Sequence, residues 1–181
     1  TVGEVPALLR HFGALTGKEE EAEGFSSKVE EALERVEREA RQRAGDVSRS
    51  GADAAPTEPP RFRYVYLIWK DPWMTVGPRT YVADLLRCVG GSLSLEESPD
   101  APASDYPLTT EDEIIAARPG VLILPDEPYR FRERDAAYWR ARLPASTRVV
   151  LVSGDDFCWH GVRTLRGLNA ARELSRGFLE G

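Results

Sequence analysis

The sequence is poor in the residues and runs that mark several large classes of protein. Two cysteines in 181 residues are too few for a disulfide framework. No apolar run approaches the roughly 20 residues that a membrane-spanning helix needs. The formal net charge is −6, and this argues against nucleic-acid binding because neutralising phosphates requires a basic surface. We therefore expect a globular protein whose partners are small molecules or other proteins, with no nucleic acid among them.

The fingerprints of common enzymes are missing as well. The sequence contains no G-x-G-x-x-G, no G-x-x-x-x-G-K-[ST] and no G-x-S-x-G, so nucleotide cradles and nucleophile elbows have no support. No nucleophile is paired with a base in any recognisable pattern. These absences favour a binding protein that performs no catalytic step and holds no cofactor. An enzyme of the same fold and a protein-interaction domain remain as alternatives.

Two further expectations come from single residues. Cys88 falls on the apolar side of a helical pattern, which predicts a buried free thiol rather than a bridge to Cys158. The chain begins at Thr1 with neither a basic segment nor an apolar segment, so no signal peptide is expected within the sequence given.

Residues 1–45 have a helical pattern, and residues 46–60 do not. A first apolar stripe repeats at helical spacing and ends at Gly17. A second stripe predicts a long one-sided helix, whose opposite face carries Glu and Arg four residues apart, as is typical of a solvated surface: Phe25, Val29, Leu33, Val36, Ala40 and Ala44. Residues 46–60 lose this periodicity and gain proline, glycine and serine, which predicts a flexible linker.

Residues 61–181 alternate between strand and helix patterns. Strands are predicted at 62–69, 121–124 and 148–153, with a short one at 92–95, and helices at 78–89, 110–118, around 136–139 and from 161 onwards. Such alternation is typical of a mainly parallel sheet with right-handed crossovers. The predicted fold class is therefore α/β, with a mainly parallel sheet flanked by helices and preceded by the long helix.

Three of these predicted strands end in aromatic loops. Because the carboxyl ends of parallel strands meet at one edge of a sheet, we expect the three loops to form a ligand-binding surface there. Leaving so many aromatic rings in water would be costly unless they bind something. The candidate ligand-binding residues are Trp69, Trp73, Glu127, Tyr129, Arg130, Phe131, Phe157, Trp159 and His160.

Metal-binding and catalytic readings of these loops are weaker. One cluster in these loops has side chains of the kinds that bind metals: Asp155, Asp156, Cys158 and His160. However, a lone C-x-H without a second ligand pair is a weak signal for a tetrahedral metal site. A metal-dependent enzyme would have to use Asp155, Cys158 and His160. His160 could instead contact a bound metal complex. We predict no resident metal.

Four segments, taken together, resemble a known family. They are Y-L-I-W-K-D-P-W-M-T-V-G at 66–77, R-T-Y-V-A-D-L-L-R-C-V-G-G at 79–91, I-L-P-D-E-P-Y-R-F at 123–131 and V-S-G-D-D-F-C-W-H-G at 152–161. In this order they resemble the helical-backbone metal receptors, the periplasmic substrate-binding proteins of ABC importers for ferric siderophores, haem and cobalamin. The long helix at 25–44 resembles the backbone helix that joins the two lobes of that family.

The resemblance implies a function, a location and partners. It implies that the chain binds a metal chelate such as cobalamin, haem or a ferric siderophore, in the periplasm or at the outer cell surface. It also implies a membrane permease as partner, with Glu127 as a candidate docking residue. By the same resemblance, residues 1–45 correspond to the end of a first lobe and the backbone helix, and residues 61–181 to the second lobe. The resemblance further implies that the amino-terminal lobe is missing from the sequence given.

Overall fold

The computed structural model describes residues 1–47, 62–95 and 104–178, with residues 43–47 described by their backbone only. The first range forms a 3₁₀ turn and two helices, which are Val2–Glu4, α1 (Val5–Thr16) and α2 (Glu19–Val47). The rest forms five strands, five helices and a second 3₁₀ turn: β1 (Phe62–Trp69), β2 (Met74–Thr75), α3 (Tyr81–Cys88), β3 (Gly91–Leu93), α4 (Glu111–Ala116), β4 (Val121–Pro125), α5 (Glu133–Arg140), β5 (Arg148–Val152), α6 (Gly154–Cys158), Gly161–Arg163 and α7 (Thr164–Arg176).

The sheet is mainly parallel and β1 lies inside it, as the alternating pattern predicts. β1 pairs in parallel with β4 on one side, and β4 pairs in parallel with β5. On its other side β1 pairs in parallel with β3 at its start and antiparallel with the two-residue β2 at its end. The β2 return is the one antiparallel pairing between the named strands of the described residues, and no sequence pattern predicted it. The predicted α/β fold is confirmed.

The two faces of β1 explain why its sequence shows no polar alternation. Tyr64, Tyr66 and Ile68 point into one core cluster, which is closed by α2, α3 and α7. Val65 and Leu67 point into a second cluster, which is closed by α4 and α5. Because both faces are covered, apolar side chains are required at every position from Tyr64 to Ile68.

The long helix packs onto the sheet layer as predicted. Val29, Ala32 and Val36 of α2 are buried in the first core cluster. Near the carboxyl end of α2, Glu39 forms an ion pair with Arg172 of α7. The buried residues Val29, Ala32 and Val36 are three and four positions apart, so they lie on one side of α2, as the one-sided apolar pattern indicates.

Helix α1 folds back on α2 through a left-handed Gly17, whose φ is 69°. Gly13 of α1 lies so close to Ala22 of α2 that a β-carbon on Gly13 would come within 2.4 Å of the Ala22 side chain. Arg10 pairs with both Glu23 and Glu30 of α2 at 2.7 Å. The two helices form one tight hairpin.

One side of this hairpin leaves large apolar groups exposed. Leu8, Phe12 and Leu15 of α1, and Phe25 at the beginning of α2, are all exposed. Phe25 belongs to the apolar stripe predicted for the long helix, and the other three lie in the first stripe, which ends at Gly17. α1 therefore buries one side against α2 and leaves these side chains exposed in the described part of the chain.

The described residues test some of the other expectations and leave two of them as predictions. Both cysteines are free, with Cys88 buried and Cys158 partly buried. Within the described ranges no helix has the length and apolar character required to cross a membrane. The predicted linker at 46–60 lies outside the described residues except for 46 and 47, which belong to α2. The division into a first segment 1–45 and a lobe 61–181 stays a prediction.

Candidate functional site

The three aromatic loops meet at one edge of the sheet, as predicted. β1, β4 and β5 lie side by side and run in the same direction, so the loops that follow them are neighbours. Backbone hydrogen bonds tie the second loop to the strands on both sides of it, β1 and β5. The amide of Tyr129 donates to the carbonyl of Ile68 at 3.3 Å, and the amide of Asp126 donates to the carbonyl of Val152 at 3.2 Å.

The second and third loops are held together by side chains at close range. Asp126 accepts a hydrogen bond from the amide of Gly154 at 2.7 Å. The indole Nε1 of Trp159 donates to Oε1 of Glu127 at 2.6 Å. A β-carbon on Gly154 would lie 2.3 Å from Cγ of Glu127 and 2.9 Å from its carbonyl oxygen, so a residue without a side chain is required at this contact.

The third loop contains a short helix that the sequence did not predict. α6 begins after Ser153, and its first turn carries Asp155 and Asp156. Acidic residues near a helix amino terminus are favourable because of the helix dipole. Asp155 pairs with Arg163 at 2.8 Å and Asp156 with Arg166 at 3.0 Å. These two carboxylates therefore fasten the loop to the start of α7.

Three of the predicted ligand-binding aromatics are core residues instead. Trp73 is 9% exposed and stacks on Phe131, with ring centroids 6.4 Å apart. Phe131 is buried beside it in the second core cluster. Phe157 is 2% exposed and packs on Tyr66 in the first cluster. Their rings are enclosed by protein, so they hold the loops in place and offer no face to a ligand.

The other predicted residues lie at or near the surface. Trp69 is 42% exposed and makes an edge contact with the half-buried Tyr129, with ring centroids 5.7 Å apart. Trp159 is 56% exposed, and Arg130 is exposed in the second loop. His160 is exposed and its ring lies edge-on to Tyr81, 5.9 Å between centroids.

A cavity of about 440 Å³ opens beside this edge. It lies between the end of β1, the β2 return, the start of α3, the segment around Tyr106, the loop after β4 and the last residue of α6. Of its lining residues, only Trp69 belongs to the ligand-binding set predicted from the sequence. Most of the lining is apolar: Ile68, Trp69, Met74, Val76, Thr80, Tyr81, Val82, Tyr106, Pro128 and Cys158.

Tyr106 reaches the cavity because the chain around it runs alongside β2. The amide of Thr75 donates to the carbonyl of Pro107 at 3.0 Å, and the amide of Gly77 donates to the carbonyl of Asp105 at 2.8 Å. The residues near Tyr106 are separated from β2 by some thirty positions of sequence. A prediction of strand β2 could have placed the segment around Tyr106 at the cavity. However, a strand of two residues is too short to recognise from its sequence alone.

The polar atoms of the lining are largely satisfied by the protein. Thr80 caps α3, since its hydroxyl accepts from the amide of Ala83 at 3.2 Å and donates to the carbonyl of Gly77 at 2.8 Å. The hydroxyl of Tyr81 donates to Thr164 at 2.9 Å. The thiol of Cys158 lies 3.7 Å from the hydroxyl of Tyr66.

Carboxylates make the electrostatic environment of this edge negative. The pKa of Glu127 is raised by desolvation and by the neighbouring Asp155 and Asp126. The pKa of the Cys158 thiol is raised mainly by burial and further by Glu127 and Asp155. Burial, Cys158, Glu127 and Asp126 all raise the pKa of Tyr66. Negative charge is therefore disfavoured in the wall of the cavity.

The geometry does not assemble the metal site that a metal-dependent enzyme would need. Among the described residues no three His, Cys, Asp or Glu side chains are grouped so that they could hold a metal ion. Asp155 is directed to Arg163, and His160 is exposed beside Tyr81. Asp155, Cys158 and His160 thus do not form a ligand set in the described part of the chain.

No family model and no curated protein matches the chain. Solved structures do. The periplasmic vitamin B12-binding protein BtuF of Vibrio cholerae aligns with a TM-score of 0.67 and 14% identity, over 100% of this chain and 64% of its own. The periplasmic haem-binding protein RhuT from Roseiflexus sp. RS-1 aligns at 0.68 with 18% identity, over 98% and 63%. The chain has the fold of these binding proteins.

A structure described as an ABC-type Fe³⁺-hydroxamate transport system, from Saccharomonospora viridis DSM 43017, aligns at a TM-score of 0.65 with 14% identity. The alignment covers 98% of this chain and 56% of the other protein. The chain thus spans less than two thirds of the length of these neighbours. What it shares with them along that span is one α/β layer and the helices that precede it.

Proposed function

We propose that the chain belongs to a substrate-binding protein of an ABC importer and takes a metal chelate at the carboxyl edge of its sheet. The observation that carries this proposal is the apolar cavity at that edge, which Trp69 lines and whose lining residue Cys158 directly precedes the exposed Trp159. Such a concave apolar site with a few fixed polar groups is what ligand pockets require. The shared fold with binding proteins for vitamin B12 and haem supports the same reading.

The ligand-contacting set proposed here is narrower than the one predicted from sequence. Trp69, Tyr129 and Trp159 offer accessible ring surface, while Glu127 holds Trp159 in place. Arg130 and His160 are exposed nearby and supply polar contacts. Planar macrocycles and chelates with aromatic or alkyl groups bury apolar surface against such rings, which is the main source of affinity.

The location and the transport partner are part of the same proposal. A chelate-binding protein of this fold would act in the periplasm or at the outer cell surface and deliver its ligand to a membrane permease. The partly exposed Glu127 is a weaker docking candidate than the sequence implied, since its carboxylate is already bonded to Trp159.

The proposal is tested by titrating the intrinsic tryptophan fluorescence of the 181-residue chain with cobalamin, haem and a ferric siderophore. We expect saturable quenching by one of these ligands. A Trp69→Ala, Trp159→Ala variant should bind that ligand at least ~10-fold more weakly, because covering one indole face contributes about 1 to 3 kcal/mol.

The control removes a buried indole instead. Trp139 is fully enclosed in the second core cluster. A Trp139→Phe variant keeps both exposed tryptophans and should keep the affinity of the wild type. Absence of binding by all three classes of ligand would refute the proposed function. Equal loss of affinity in this control and in the Trp69→Ala, Trp159→Ala variant would refute the placement of the site.

A further inference from the structure

The cavity beside Trp69 carries information about the chemistry of the group it accepts. None of its described lining residues is charged, and the side chains of Ile68, Met74, Val76 and Val82 form its apolar wall. The Thr80 and Tyr81 hydroxyls on this wall bond to protein partners. A charged group placed there would lose its hydration and find no charged partner in the lining, which is costly.

The rim of the cavity adds a charge preference to this apolar preference. Pro128 and Cys158 line the cavity, and each is next in sequence to one member of the Glu127–Trp159 hydrogen bond. Glu127 also raises the pKa of the Cys158 thiol, so its carboxylate is close to this lining residue. Asp126, beside Glu127, bonds to a backbone amide and has no cationic partner among the described residues. An anionic group approaching here would meet uncompensated carboxylates.

The cations near this edge are mostly neutralised. Arg163 is paired with Asp155 at 2.8 Å and Arg79 with Asp105 at 3.0 Å. Lys70 is paired with Asp135 at 3.2 Å on the other face of the sheet. Arg130 is exposed in the second loop, and His160 stands edge-on to Tyr81. At this edge the three carboxylates of Asp126, Glu127 and Asp155 outnumber the two guanidinium groups of Arg130 and Arg163.

We infer that the cavity is a subsite for an uncharged hydrocarbon or aromatic substituent of the ligand, and that it rejects anionic groups. This inference rests on the proposed function, because it assigns to the chelate a neutral apolar arm or ring edge that enters the cavity. Ferric trihydroxamates with alkyl linkers and macrocycles with an apolar edge meet this description. Ferric tris-catecholates, which are trianions with carbonyl-bearing rims, do not.

The test uses a matched pair of fluorescent probes and so does not depend on the identity of the chelate. N-phenyl-1-naphthylamine is neutral, and 1-anilinonaphthalene-8-sulfonate has the same ring system with one sulfonate added. We expect the neutral probe to bind the chain saturably and at least tenfold more tightly than the sulfonate. A Glu127→Gln variant should tighten the sulfonate and leave the neutral probe within twofold.

Two further variants locate the binding, and a third controls for the charge change. Met74→Trp places a bulkier side chain in the wall and should weaken the neutral probe at least fivefold. Phe12→Ser with Leu15→Ser removes the exposed apolar stripe of α1 and should leave that probe unchanged. Glu20→Gln, an exposed position on α2, makes the same charge change as Glu127→Gln and should leave the sulfonate unchanged. Far-ultraviolet circular dichroism confirms that each variant is folded.

The inference is overturned if the sulfonate binds as tightly as the neutral amine, or if neither probe binds the wild type. It is also overturned if the α1 variant, rather than Met74→Trp, loses the neutral probe. None of these outcomes contradicts the proposed function if one of the chelates binds the chain saturably. Failure of all chelates together with success of the neutral probe would instead refute the proposed function and keep the subsite.

Discussion

Trp159 donates its indole hydrogen to Glu127 across 2.6 Å, and this bond joins the loop after β4 to the loop after β5. The carboxylate that accepts it is also close to Asp155 and Asp126. Desolvation and these two neighbours raise the pKa of Glu127, while the indole donor acts in the opposite direction. Glu127 therefore links the two loops through Trp159, and its charge is also repelled by two neighbouring carboxylates.

The raised pKa of Glu127 gives a pH dependence with a definite sign. A carboxyl group whose pKa is raised by folding binds its proton more tightly in the folded state. It favours folding at low pH, and this advantage is lost as the pH rises through the folded pKa. A Glu127→Gln variant lacks this titration, so its Tm minus that of the wild type should increase from about pH 4 to about pH 7. Differential scanning calorimetry measures this difference, and a decrease over the same range would contradict it.

The four tryptophans should divide into two classes in a quenching experiment. Trp69 and Trp159 are largely exposed, whereas Trp73 and Trp139 are buried in the second core cluster. Iodide should quench part of the emission, and a Trp69→Phe, Trp159→Phe variant should lose that accessible part. A bound ligand that covers the edge should protect the same part. Equal quenching of this variant and the wild type would show that the buried pair is accessible.

The pairing of Lys70 with Asp135 should contribute strongly to stability. Asp135 is 2% exposed, accepts from the amide of Arg132 at 3.0 Å and lies 3.2 Å from Nζ of Lys70. Removing Lys70 leaves this buried carboxylate with only the longer contact to Arg134, at 3.8 Å, as a charge partner. Lys70→Met should therefore lower the free energy of unfolding by about 2 to 4 kcal/mol.

A second substitution distinguishes that charge effect from lost packing. Lys70 also lies 5.8 Å from the ring centroids of Trp73 and Tyr138, so its removal costs some contact area as well. The double variant Lys70→Met, Asp135→Asn should be more stable than Lys70→Met alone, because the stranded charge is gone. Urea unfolding of both single variants, the double variant and the wild type completes the cycle. A double variant less stable than Lys70→Met would show that the Asp135 carboxylate stabilises the fold even without Lys70, and would contradict this account.

Two glycines should respond oppositely to alanine. At Gly154 the added methyl group would collide with the backbone and side chain of Glu127, so Gly154→Ala should destabilise the protein by about 1 to 3 kcal/mol. At Gly24, inside α2, an added methyl group would meet no atom within 4 Å. Gly24→Ala should stabilise the protein by roughly 0.5 to 1 kcal/mol because alanine favours the helix. Chemical denaturation measures both, and equal signs would contradict this account.

The sequence predicted the layers of the fold well because their signals are local. The uninterrupted apolar run from Tyr64 to Ile68 can be satisfied only when both faces of a strand are covered. The pair Thr110 and Glu113 forms the capping box that its spacing indicates, and its reciprocal hydrogen bonds begin α4. The one-sided α2 likewise follows from the spacing of its apolar residues.

The site was predicted less well because the direction of a loop side chain is not a local property. Trp69 and Trp73 are separated by one turn and look alike in the sequence. The β2 return sends Trp73 under the sheet onto Trp139, at 5.0 Å between ring centroids, while Trp69 stays at the surface. The α6 helix was missed for a related reason, since five residues contain too little periodicity to separate a short helix from a loop.

Because the two cysteines differ in burial, alkylation of the more accessible one can report whether the cavity is occupied. Cys88 is enclosed in the core and its pKa is raised to about 12, so alkylating reagents should spare it in the folded protein. Cys158 is partly accessible and lines the cavity. In mildly alkaline buffer a maleimide should therefore modify one thiol per molecule, and any molecule that fills the cavity should slow that reaction. The rate of a single covalent modification thus becomes a readout of occupancy that needs neither a coloured ligand nor an engineered label.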